Sequence, residues 1–79
     1  MEKFTVEVYD FPRQEIEAEN AEKAARKYFS EHQMAEQMIK KCIRDEYVSV
    51  IDGKGHETEF IAALDDVSRE FDFIKLSAS

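Results

Sequence analysis

Few side chains in this chain of 79 residues are suited to covalent or metal chemistry: one cysteine, Cys42, and two histidines, His32 and His56. A thiol beside an imidazole is the minimal nucleophile–base pair. The residues around Cys42 carry no thiol motif, however. Cys42 also extends an apolar helical stripe with Ile39, so a buried, inert thiol is expected. His56, Glu57 and Glu59 have ligand chemistry, but successive strand residues point to opposite faces. His56 therefore diverges from Glu57, and Glu57 with Glu59 lacks a third strong ligand. Gly53-Lys54-Gly55 lacks the G-x-x-x-x-G-K-[ST] spacing of a phosphate loop and leads into a strand, which makes it a turn. Asp65-Asp66 suits the start of a short helix, where the helix dipole favours acids. The reading is non-enzymatic, with no catalytic residue, no metal and no cofactor.

The elements that carry these residues follow from periodicity. Residues 4–9, FTVEVY, and 14–19, QEIEAE, alternate apolar and polar, the period of half-buried strands. They flank the turn Asp10-Phe11-Pro12-Arg13. Asn20 is a good helix N-cap. It opens a run without Gly or Pro in which Ala21, Ala25, Tyr28, Phe29 and His32, then Ala35, Met38, Ile39 and Cys42, recur at spacings of three and four. A straight helix over this run is ~35 Å long. Strands of this length span only ~20–23 Å. The helix therefore overhangs the sheet or breaks, with Glu31–Gln33 the place for a break. Residues 46–52 and 57–64 form a hairpin across Gly53-Lys54-Gly55-His56. The tail is either a short helix from Asp65 or a fifth strand over Phe71–Leu76, with Ser77-Ala78-Ser79 fraying. The fold class is α+β: one antiparallel sheet, in the order β-β-α-β-β with that uncertain end, packed on one long or broken helix in a single domain.

Net charge is -7, and it is unevenly spread. Lys23, Arg26, Lys27, Lys40, Lys41 and Arg44 make the helical region basic, and the flanking regions are acidic. With Val6, Val8, Ile16, Ala18, Thr58, Phe60 and Ala62 turned inward, Glu7, Glu15, Glu17, Glu19, Glu57 and Glu59 face water. If both hairpins share a sheet, these six carboxylates share its open side. Like charges across strands destabilise, so such a face needs screening or a positive partner. It also serves solubility and blocks edge pairing. A rigid carboxylate array suits a basic protein surface, including the groove of a nucleic-acid-binding protein. Direct nucleic-acid binding is disfavoured by the repulsive overall field and by the absence of aromatics among the bases. The longest apolar run, Phe60 to Leu64, is five residues, against about 20 for a membrane span. No membrane association is expected, and a reduced lone cysteine fits the cytoplasm.

The stretch from Glu15 to Ala25, a strand running directly into a helix, and the later VSVIDGKG-HETEF hairpin resemble small domains of phages and mobile elements, over residues 4–62. In size, acidity and layout the chain is similar to anti-CRISPR inhibitors. That resemblance implies an inhibitor acting on a CRISPR effector or another nucleic-acid-binding protein. The Ala-rich helix is also similar to that of double-stranded-RNA-binding domains, but element order and charge depart from that family. The alternative is a regulatory or oligomerisation module, a homodimer paired through its central helix with Met34, Met38 and neighbouring bases.

Overall fold

The computed structural model describes residues 1–78. The elements are β1 (Glu2–Val8), β2 (Gln14–Ala18), α1 (Ala21–Glu31), α2 (Met34–Lys40), β3 (Asp45–Ile51), β4 (Glu57–Asp65) and β5 (Glu70–Ala78). The strands form one sheet in the order β2-β1-β3-β4-β5. Every neighbouring pair is antiparallel. The architecture is thus the expected α+β class, with two helices and a fifth strand.

The helical region begins where Asn20 predicts, its side-chain oxygen accepting the Lys23 N–H at 2.9 Å. It breaks at His32–Gln33, where Gln33 takes a left-handed φ of 50° before α2 starts. Length explains the break. The core beneath it needs both the Tyr28–Phe29 pair and the Met34–Met38 pair, and all four residues are buried. One straight rod would carry the second pair off the sheet. A second left-handed residue, Cys42, ends α2. The Ile43 N–H donates to Met38 O and the Cys42 N–H to Ile39 O, an arrangement that satisfies the last carbonyls of a helix. Cys42 therefore departs from the expected buried thiol: it is exposed at this turn, and Ile43 takes the inward position against the core.

Two further turns are set by acids. Asp52 accepts the Lys54 and His56 N–H groups at 2.8 and 2.9 Å, closing the β3–β4 hairpin with Gly55 at φ 87°. Asp65 accepts from Val67 and Ser68. Its capping chemistry is used, but for a tight β4–β5 turn rather than a helix. The tail then runs as β5, paired with β4 as far as Ala78. Of the three residues expected to fray, Ser77 and Ala78 belong to the strand, and Ser79 lies outside the described residues.

One face of the sheet meets the helices. Phe4, Val6, Val8, Ile16, Ala18, Val48, Val50, Phe60, Ala62 and Phe73 join the helical residues in a single core. The α1 helix packs over β1, β2 and β3. Tyr28 anchors the β1–β2 connection by donating its hydroxyl to Pro12 O at 2.5 Å. Among the described residues, no helix lies on the opposite sheet face. No helix among the described residues is long and apolar enough to cross a membrane.

Candidate functional site: the open sheet face

The open face is built by strand alternation. Because Val6 stands opposite Val50, and Val48 opposite Phe60, the odd-numbered residues of β1, β3 and β4 point away from the helices, as do Glu15 and Glu17 of β2. The register orders these residues in rows. Glu17 faces Lys3. Glu15, Thr5, Ile51 and Glu57 form the next row, followed by Glu7, Ser49 and Glu59. Tyr47, Ile61 and Ile74 come next, and then Asp45, Ala63 and Asp72. Rows on a given strand are about 6.8 Å apart and neighbouring strands about 4.8 Å apart.

Five of the six carboxylates singled out from sequence share this face. Glu19 does not. The β2 strand ends at Ala18, and Glu19 turns toward α1, where it pairs with Lys23 at 3.1 Å. The other five are unequal. Glu7 pairs with Arg13 at 2.8 Å. Glu57 accepts a short hydrogen bond from the hydroxyl of Ser49, which is buried between strands on the otherwise open side. Glu17 lies across from Lys3 in the register, but the two side chains form no ion pair among the described residues. Glu15 is exposed and forms no ion pair among the described residues. Glu59 is half-buried in the row of Glu7 and Ser49.

Sequence reasoning missed the centre of the face. Tyr47 and Ile74 are 42% and 52% exposed, and half-buried Ile61 lies between them. This apolar row runs across β3, β4 and β5, with Glu7 and Glu59 on one side and Asp45 and Asp72 on the other. Tyr47 and Ile61 were accessible to the period-two argument, since Val48 and Phe60 point inward. Asp72 and Ile74 required the fifth strand. An apolar centre with a charged rim is the usual anatomy of a protein-binding patch.

The remaining chemical candidates do not converge. His32 stacks on Tyr28 at 4.2 Å, and its Nε2 meets Gln14 Oε1 at 2.5 Å. His56 lies beside Asp52 in the hairpin turn. The backbone hydrogen bond from His56 is the main influence on the Asp52 carboxyl; with help from the Lys54 N–H and the His56 charge it outweighs the opposing effect of desolvation and holds the pKa below its ordinary value. Among the described residues no three His, Cys, Asp or Glu side chains gather at a metal-ligating distance. Met34 and Met38 are fully buried in the core and present no surface to a partner. Compared with known proteins, the chain matches no family model, no curated protein and no solved structure.

Proposed function

We infer that this chain is a non-enzymatic protein-interaction module whose open sheet face docks on a basic protein surface. In this reading it inhibits in the anti-CRISPR style, covering the nucleic-acid groove of an effector or another nucleic-acid-binding protein. The observation that carries the reading is the uncovered face itself: Glu15 and Glu17 on β2, Glu7 on β1, and Glu57 and Glu59 on β4 across the intervening β3, beside the apolar row Tyr47–Ile61–Ile74. The apolar row supplies area to bury, and the carboxylates supply steering and register. A basic groove with its own counterions would release them on docking, as it does when it binds phosphates. Pairing through the helices, the alternative, has less to offer, because Ile39 is the sole exposed large apolar residue of α1 and α2.

The test is a pull-down from the source cell at low salt, with mass spectrometry and a salt series on the complex. A partner that fits the reading is basic, is displaced as salt rises, and loses its nucleic acid to this protein in competition. A triple variant, Glu15→Lys with Glu17→Lys and Glu59→Lys, should keep its circular dichroism and lose at least tenfold in affinity. Normal low-salt binding by that variant sinks the reading.

A further inference from the structure

The helix layer covers only part of the sheet. Because α1 lies over β1, β2 and β3, the inner side of β5 borders a groove of about 550 Å³. Its apolar wall is Phe29, Phe71 and Phe73. The Phe29 ring stands edge-on to the other two, at 4.8 and 5.2 Å. Arg26 lies over the Phe73 ring at 5.0 Å, and Arg69 stands at the turn end of the same groove. A smaller extension past Arg69 reaches Ile39 and Lys40.

The groove adjoins an unpaired sheet edge. The Leu64 N–H donates to Arg44 O at 2.8 Å, so the backbone groups of Leu64 aim toward β3. Phe71 is paired opposite Leu64, and its N–H and C=O therefore aim away from β4, into solvent. The same holds two residues on for Phe73, because the register is regular there and shifts only beyond Phe60. The Phe71 carbonyl takes one long bond, 3.4 Å, from Arg26 Nη1. An edge of this kind is a template for another strand.

We propose that the β5 edge and its aromatic groove bind an extended peptide by strand addition, taking an apolar side chain against Phe29, Phe71 and Phe73 and an acidic side chain, two residues away, on Arg69. A strand hydrogen-bonded to Phe71 and Phe73 sends alternate side chains toward the helix side, about 6.8 Å apart. Charge selects the acidic residue. The Arg69 backbone N–H donates to Asp65 O, but its guanidinium forms no hydrogen bond or ion pair among the described residues, while that of Arg26 is already engaged with Glu22. With Arg26 paired, Arg69 and Lys40 stand beside Glu36 and Glu70 along the groove and its extension, so selection of the acidic residue falls to the Arg69 guanidinium. A second copy is the poorer occupant, because two copies joined through β5 bring together two grooves that each offer arginines. This surface is on the opposite side of the sheet from the carboxylates, so the inference stands apart from the proposed function.

The test uses the full chain, isotopically labelled, and a capped heptapeptide of threonines with phenylalanine at its third and glutamate at its fifth position. That peptide is anionic, so bulk charge opposes its binding. The expected result is saturable binding with Kd below roughly 1 mM. The Phe71 and Phe73 amides should shift and become protected from exchange. Arg69→Gly, a substitution the backbone welcomes because φ at Arg69 is 62°, should weaken binding at least tenfold. Lysine in place of the peptide's glutamate should do the same. The proposal is overturned by no binding at that concentration, by shifts confined to other strands, or by equal affinity for the Arg69→Gly chain. It is also overturned by light scattering that shows a dimer with Phe71 and Phe73 already protected in the absence of peptide.

Discussion

Replacing Gln33 with glycine should stabilise this protein. Gln33 joins the two helices with φ 50° and ψ 47°, and its side chain makes no capping hydrogen bond. A residue with a Cβ costs about 1–2 kcal/mol in that conformation, because the Cβ crowds the following carbonyl. Glycine removes the crowding but gives up about 0.5–1 kcal/mol in extra freedom of the unfolded chain. The difference favours Gln33→Gly by up to about 1.5 kcal/mol. For a domain of 60–100 residues, each 1 kcal/mol shifts Tm by about 4–8 °C. The backbone bonds at the junction, Gln33 N–H to Ser30 O and Gln37 N–H to Gln33 O, survive the change. Urea and thermal unfolding followed by circular dichroism measure it. Gln33→Ala is the control: it keeps the Cβ, removes only exposed atoms, and should stay within about 0.5 kcal/mol of the parent. A glycine variant no more stable than the alanine variant would show that a side chain at this left-handed junction carries no strain, and the reasoning from backbone conformation would fail.

Phe29→Ala removes the ring that bridges α1 to Phe71 and Phe73. Its cost of about 3–5 kcal/mol matches the whole stability of so small a core, so its circular dichroism at 25 °C should be that of an unfolded chain. Asp52, whose pKa lies below the ordinary 3.8, contributes stability present above that value and lost as pH falls through the depressed one. Acid unfolding of Asp52→Asn compared with the parent should show their difference shrinking as pH drops below about 4. Cys42, exposed at the end of α2, should react with an aromatic disulfide reagent in the folded state within severalfold of its rate in urea. Protection of a hundredfold or more would place it in the core after all.

Period two and helix chemistry made much of the fold readable. Val6, Val8, Ile16 and Phe60 announced their inward faces, and Asn20 announced the start of α1. Comparing helix length with strand length left an overhang or a break near Glu31–Gln33, and the break is what the fold adopts. What stayed hidden depended on contacts distant in sequence. No local signal says that β1 pairs with β3, which is what brings Glu7 into one row with Ser49 and Glu59. Asp65 has the same chemistry whether it opens a helix or closes a hairpin. Only the pairing of β5 with β4, which covers Phe60 and Ala62, decides between them. Cys42 misled because the apolar stripe runs past the point where the helix ends. Backbone hydrogen bonding at Ile43, rather than side-chain spacing, sets that end. On the candidate site, five carboxylates could be placed from their strands alone. Glu19 could not, because Lys23 draws it toward the helix.

The regular alternation along β4 also limits how this sheet can misfold. A slip of one position against β3 would force Glu57 and Glu59 beneath the helices and turn Phe60 and Ala62 out to water. Each buried, unpartnered carboxylate would oppose such a pairing far more strongly than a misplaced methyl group does. The acids that colour the outer surface therefore double as a proofreading device for the hairpin while it forms. Neutralising several of them together should leave the native state standing but make wrong pairings easier to reach, and so raise the share of chains that aggregate on refolding.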